Sequence, residues 1–237
     1  MTDLVVIAGA SSEIGRAIAV SFAGRGMHVR LWGRDVARLD AAASACMDAG
    51  AASAQPTVVD VRDGAALHAA ADGVLKEGGR LTAVVWAAGV FQWGRFDTVD
   101  ESLMNDVLST TFTAAATTAR LFLPALVAHA PSTFVFVGSG AGRQAYPDNA
   151  AYVAAKHGLR GLAEALHLDV CDEGVTVSVI SAGLVNAGAG SLAPAARTHA
   201  SALLRPEDIA RAVEFVVDSP ANVCPTEIVL RPATRHA

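Results

Sequence analysis

The stretch LVVIAGASSEIG at residues 4–15 constrains the fold more than any other. Leu4 to Ala8 is an unbroken apolar run of strand length, Gly9 ends it, and a helical pattern follows from Glu13 to about Gly24. An apolar strand without polar alternation needs cover on both faces, which a parallel sheet flanked by helices provides. Glycine at position 9 permits a tight turn. The first N–H groups of the following helix lack partners inside it and share its positive dipole end, so the loop can receive a pyrophosphate. Gly9, Ser11, Ser12, Glu13, Ile14 and Gly15 are therefore candidate phosphate-binding residues, although the spacing alone also fits a plain strand-to-helix turn.

A second informative stretch runs from Phe134 to Asp169. Phe134 to Val137 is a short β-branched and aromatic strand closed by Gly138-Ser139-Gly140, which sets Ser139 at the carboxyl end of a buried strand, where open parallel sheets bind ligands. From Ala150 the pattern turns helical, and Tyr152 and Lys156, four residues apart, share one helix face. A free phenol has a pKa of about 10 and is a poor base at neutral pH. A lysine charge at roughly 4 Å, worth about 4 kcal/mol at an effective dielectric of 20, is expected to bring that pKa toward neutrality. Ser139 can hydrogen-bond the same substrate oxygen and hold it for proton exchange. A YxxxK pair alone is common on helix surfaces; the serine and the N-terminal loop make Ser139, Tyr152 and Lys156 a candidate catalytic set.

These motifs resemble the short-chain dehydrogenase/reductase family over nearly the whole chain. Ser139, Tyr152 and Lys156 match its catalytic Ser and YxxxK at the usual spacing, and Gly9 and Gly15 match the outer glycines of its GxxxGxG. The resemblance, like the alternation of strands and helices, implies an α/β fold: a single doubly wound Rossmann-type domain over residues 1–237, with a mainly parallel seven-stranded sheet and helices on both faces. It also implies a nicotinamide dinucleotide cofactor, with Tyr152 and Lys156 touching it as well as the substrate. Asp60 and Val61, at the end of a third strand expected over Thr57–Val61, inherit the adenine contact. Ala88 and Gly89, closing a fourth strand expected over Leu81–Ala88, permit close backbone approach, and the Val185 backbone meets the nicotinamide carboxamide. After the second strand, Val29 to Trp32, Gly33 stands where relatives that use NAD place an acid, and Arg34 follows. An acid there accepts from the ribose 2′-hydroxyl while an arginine accommodates a 2′-phosphate, so NADP(H) is favoured over NAD(H) with Arg34 as ligand. Arg34 as a solvated charge at a helix start is the bland alternative, and Asp35 reads as the N-cap or first turn of that helix.

The chain departs from the family pattern at Glu13 (the middle glycine), at Trp86 and Ala87 (two asparagines), and at Ala182 and Ala187 (the Pro and Thr of PGxxxT). Thr111 takes the place of the catalytic Asn in a long helix expected over Val99–Val127, where its hydroxyl can bend the helix. Trp86 reads as core. Phe91, Trp93 and Phe96, in the loop from Val90 to Phe96, fit either the wall of a substrate pocket or aromatic core. The segment 188–204 is short and rich in Gly and Ala, suggesting an open pocket, with His199 a solvated loop histidine or a substrate contact.

The expected activity is hydride transfer between NADP(H) and a carbonyl or secondary alcohol, of the ketone or 3-oxoacyl type, with Tyr152 as acid/base, Ser139 orienting the oxygen and Lys156 tuning the phenol. A catalytically weak NADP(H)-binding sensor or assembly subunit is the alternative; an epimerase or dehydratase is disfavoured because 237 residues leave no room for a substrate domain. A net charge of -5 with no basic run excludes a nucleic-acid partner. The uncharged stretches around 121–142 and 174–196 are broken by Pro, Gly, Ser and Asn, so neither reads as a membrane span. Three scattered cysteines read as small buried hydrophobes of a cytoplasmic chain, and seven histidines without ligand spacing give no metal site. The resemblance implies a homodimer or homotetramer, and Ala154, Ala155, Gly158 and Gly161 would let helices approach closely.

Overall fold

The computed structural model describes residues 3–234, so the extreme ends of the expected 1–237 domain lie outside the described residues. The strands are β1 (Asp3–Ala8), β2 (His28–Gly33), β3 (Ser53–Val58), β4 (Arg80–Trp86), β5 (Ser132–Val137), β6 (Val175–Ala182) and β7 (Glu227–Leu230). They form one sheet in the order β3-β2-β1-β4-β5-β6-β7, and every neighbouring pair is parallel. The sheet is thus doubly wound, and the winding reverses between β1 and β4, which opens a crevice at the carboxyl ends of those strands.

Successive residues of β1 point to opposite faces, and both faces are covered. Val5 and Ile7 pack with Ile18 and Phe22 of α1 (Glu13–Ala23), Leu39 of α2 (Val36–Ala49), and Ile209 and Val213 of α8 (Pro206–Val217). Leu4, Val6 and Ala8 face the other layer, with Leu67 of α3 (Gly64–Glu77), Phe122 of α5 (Ala114–Ala128) and Leu159 of α6 (Ala150–Val170). Side-chain N-caps start the helices where sequence allows: Ser12, Asp35, Asp63 and Asp100 each accept an N–H of the first turn.

Three elements differ from expectation, and the first is β4, which ends at Trp86 and leaves Ala87 and Ala88 outside the strand. β3 occupies Ser53–Val58 rather than Thr57–Val61, and it is an edge strand, which is why it accommodates Pro56 in register opposite Leu31. The long helix is not continuous: α4 (Glu101–Leu108) passes through a π-helical turn at Ser109–Thr113 into α5. Thr111 lies in that turn, but its hydroxyl does not bond back along the helix; it accepts the Val90 N–H at 3.2 Å. The run Glu101–Ala128 is long and apolar enough to cross a membrane by length and composition. Here Ala115, Ala119, Phe122 and Leu126 bury one side of it against the sheet. Trp86 is fully buried, as expected of core. Of the cysteines only Cys46 is buried, which pushes its thiol up to about 11, while Cys171 is exposed.

Candidate active site

The expected site residues gather on one edge of the sheet. Gly9 follows β1, Arg34 follows β2, Asp60 and Val61 follow β3, Ala88 and Gly89 follow β4, Ser139 follows β5 and Val185 follows β6. At the first of these turns Gly9 has φ +92°, and a Cβ there would fall 2.6 Å from the Ala88 nitrogen. A Cβ on Gly15 would meet the Gly9 carbonyl at 2.2 Å, so both glycines let the loop and helix pack without a side chain between them. Ser12 closes the loop on itself, donating to the Gly9 carbonyl (2.7 Å) and accepting the Gly15 N–H (3.0 Å). The N–H groups of Glu13 and Ile14 lie at the open start of α1, where no helical carbonyl precedes them.

The reacting groups are held by β5, α6 and the π-helical turn. The turn at Gly140–Gly142 sits so close to α6 that a Cβ on Gly142 would be 2.8 Å from the Lys156 carbonyl, and on the opposite side Gly158 receives the Phe112 ring. Lys156 is buried, with Nζ donating to the Val137 carbonyl at 2.8 Å. That Nζ lies over the Tyr152 ring, 5.6 Å from its centroid. Burial lowers the Lys156 pKa to about 8. Ser139 accepts the Ala141 N–H at 3.1 Å, which leaves its own proton free to donate. The expected acidification of Tyr152 by Lys156 is not met. Burial pushes the phenol up, and the group that pulls it back is the neighbouring Ser139 hydroxyl. One proton of the ammonium is committed to the Val137 carbonyl.

Against the other side of Tyr152 stands Phe91, edge-on, with ring centroids 5.1 Å apart. Phe91, Trp93 and Phe96 are all exposed, so this loop is not aromatic core. A model of the short chain dehydrogenase family matches residues 3–197. The chain belongs to that family. The 3-oxoacyl-acyl-carrier-protein reductase of Escherichia coli strain K12 is 26% identical over 230 residues, covering 92% of this chain and 91% of its own. The sulfoacetaldehyde reductase of Chromohalobacter salexigens is 29% identical over 246 residues, covering 100% and 96%. Among solved structures, a metagenomic short-chain oxidoreductase in complex with NADP superposes with a TM-score of 0.85 at 29% identity, covering 98% of each chain.

Several short chain dehydrogenase positions in this chain carry roles that sequence did not announce. Asp60 accepts from the Arg62 guanidinium through both carboxylate oxygens (3.0, 3.2 and 2.6 Å), and Arg62 also reaches Asp106 at 2.5 Å. The side-chain bond from Arg62 is the largest influence holding the Asp60 carboxyl down, at about 2. Part of its accepting capacity is thus already used. Val185 forms an isolated parallel bridge with Leu204, and its carbonyl takes the Ala187 N–H at 2.8 Å. Gly89 is flanked by Thr111 and Lys156: a Cβ on it would lie 3.6 Å from the Thr111 Oγ1 and 3.9 Å from the Lys156 Nζ. Gln92 and Asn149 are buried beside the site with Oε1 and Oδ1 unpaired, and neither stood out in the sequence. His199 is exposed, with its ring nitrogen on the Thr198 hydroxyl at 2.8 Å. Of the four small residues expected at helix contacts, Ala154 and Gly161 are exposed, while Ala155 is buried and Gly158 is occupied by Phe112 within the chain.

Proposed function

We propose that this chain is an NADP(H)-dependent carbonyl reductase, equivalently an alcohol dehydrogenase, acting on a ketone or 3-oxoacyl-type substrate. The observation that carries the reading is the cluster at the carboxyl end of β5: a Ser139 hydroxyl interacting with the Tyr152 phenol, and a buried Lys156 over the same ring. The residues present fit a dinucleotide. Gly9 and Gly15 keep the cradle free of side chains, and the N–H groups of Glu13 and Ile14 are aimed out of the helix start.

The preference for the phosphorylated cofactor is supported on two counts. Arg34 is exposed, with no hydrogen bond to another side chain among the described residues, yet near enough to Asp60 to act on it through its charge. An acid at position 33 would collide with Ser11, whose Oγ lies 2.6 Å from where a Cβ would stand. The relative solved with NADP favours the same choice.

Ser139, Ser11, Arg34, Lys156 and the Val185 backbone would hold the cofactor and substrate, and the nicotinamide supplies or accepts hydride when bound. In the reducing direction Ser139 donates a hydrogen bond to the substrate oxygen and fixes its position. Tyr152, kept protonated by burial, gives that oxygen its proton. Lys156, still charged below about 8, stabilises the phenolate left behind. A cavity of about 400 Å³ lined by Gly140, Gln144, Tyr146, Leu184 and Arg231 borders the turn that follows Ser139.

The test is oxidation of NADPH and of NADH, followed by nicotinamide absorbance, with ketones, diketones and 3-oxoacyl thioesters, for the wild type and Tyr152→Phe. Turnover that prefers NADPH and depends on Tyr152 is expected. Tight dinucleotide binding without turnover on every substrate would instead favour a sensor or assembly subunit.

A further inference from the structure

Glu13, the first residue of α1, does something that neither the phosphate loop nor the reaction requires. Its Oε2 accepts the Gly188 N–H at 2.8 Å, joining two points 175 residues apart in the chain. Gly188 opens the short helical turn Gly188–Leu192 that follows β6, and that turn is stiffened from within. The Gly190 N–H bonds the Ala187 carbonyl at 3.0 Å, the Ser191 hydroxyl bonds the Gly188 carbonyl at 2.7 Å, and a Cβ on Gly190 would fall 2.0 Å from the Val185 carbonyl. A compact segment is therefore tied at its leading residue to the start of α1. The tie runs through a carboxylate.

That helix start is also where the unpartnered Glu13 and Ile14 N–H groups and the positive end of the helix converge. Ser12 is turned inward and does not contend for them. The Glu13 carboxylate, carried by the first residue of α1 and bonded to the Gly188 N–H, adds negative charge at the helix start where a pyrophosphate would add more.

We infer that Glu13 is a positioning residue: it latches the segment after β6 onto the N-terminus of α1 and competes with the cofactor's pyrophosphate for that place. Dinucleotide loading then requires the carboxylate to release Gly188, so one side chain couples the opening of the segment to cofactor affinity. The inference rests on the dinucleotide reading given above.

Three full-length variants test it: Glu13→Ala, Glu13→Gly and Glu13→Gln, the last retaining a neutral acceptor of nearly the same shape. Hydrogen exchange by mass spectrometry reports protection of peptides covering residues 186–193 without cofactor. Calorimetry or nicotinamide fluorescence gives Kd for NADP(H) and NAD(H). In Glu13→Ala and Glu13→Gly the segment is expected to lose protection and Kd to tighten roughly tenfold, the net worth of one hydrogen bond to a charged group. Glu13→Gln keeps most of the protection and shows part of the gain in affinity, a split that a purely structural role would not produce. Unchanged exchange in Glu13→Ala overturns the latch, and a Kd that is unchanged or weaker in all three variants overturns the competition. If neither wild type nor variants bind a dinucleotide, the cofactor reading and the competition fall together, while the exchange data still decide whether Glu13 holds the segment.

Discussion

At one end of the site a buried Lys156 meets half-buried Ser139 and Tyr152; at the other a half-buried Asp60 stands with exposed Arg34 and Arg62. The difference sets which forces act. Around Lys156 burial outweighs every charge, lowering its pKa to about 8 and raising that of Tyr152. Around Asp60 a guanidinium outweighs desolvation and pulls the carboxyl down to about 2. The buried end is thus arranged to move a proton, and the outer end to meet fixed charge. Departures from the family pattern fall at both ends: Ser139, Tyr152 and Lys156 are intact but Thr111 replaces an Asn beside Gly89 and Lys156, and Glu13 and Ala187 differ at the start of α1 and after β6.

The comparison is broken most severely by removing the proton donor. Tyr152→Phe keeps the ring that packs edge-on against Phe91 and deletes only the hydroxyl, so folding is expected to persist while kcat for carbonyl reduction falls by roughly 10²–10⁴. Steady-state kinetics beside a thermal unfolding curve checks both halves. A fall of less than tenfold would mean that another group delivers the proton.

Next in size is the pH response of the buried end. Because Lys156 is charged only below about 8, reduction should lose rate as pH rises through that value, while Tyr152, pushed up by burial, stays protonated across the same window. The alkaline limb therefore belongs to the lysine. Lys156→Arg, which keeps its charge at any accessible pH, should lose that limb even if its maximal rate is lower. Stability moves the opposite way. A lysine whose folded pKa lies below its unfolded value of about 10.4 leaves the unfolded chain binding more protons between the two, so resistance to denaturant should rise as pH climbs through that interval. A reduction rate flat from neutrality to well above 8 would show that the ammonium is not the group that tunes the site.

The outer end is probed by Arg34→Ala. Losing one charge-assisted contact to a 2′-phosphate should raise KM for NADPH by roughly 10–100-fold and leave KM for NADH nearly unchanged. Equal effects on the two cofactors would assign Arg34 to the surface charge of a helix start.

Sequence made the buried end legible because its information is local. A glycine after an apolar strand, a serine at a strand end and an i, i+4 pair each follow from a few neighbouring residues. What stayed hidden depends on partners far along the chain. The Arg62 grip on Asp60 extends to Asp106, and the Glu13 bond crosses to Gly188; neither has a periodicity to detect. β3 lies before its expected bounds because an edge strand tolerates polar residues and Pro56, so its composition reads as loop. The π-helical turn has no local signal because Ser109–Thr113 looks like any Thr-rich helical stretch, and the seating of Phe112 against Gly158 is a contact between distant residues. The direction of the Tyr152 shift was missed for a related reason: an i, i+4 spacing gives proximity, but not the carbonyl that claims the ammonium or the depth at which the phenol lies.

The smallest effect asks whether the inner end is held by its hydrogen bonds. Thr111 accepts the Val90 N–H from within the π-helical turn, and Val90 begins the loop that carries Phe91 against Tyr152. Thr111→Val preserves shape but leaves that N–H without an acceptor, at a cost of about 1–3 kcal/mol in denaturant unfolding. Thr111→Ser restores the acceptor and should recover most of that loss, short of the buried methyl, worth about 0.8 kcal/mol. Equal stability in the two variants would show that water replaces the threonine. In that case the loop beside Tyr152 stands on the packing of Phe91 alone, and the inner end is less tightly determined by its polar groups than its burial implies.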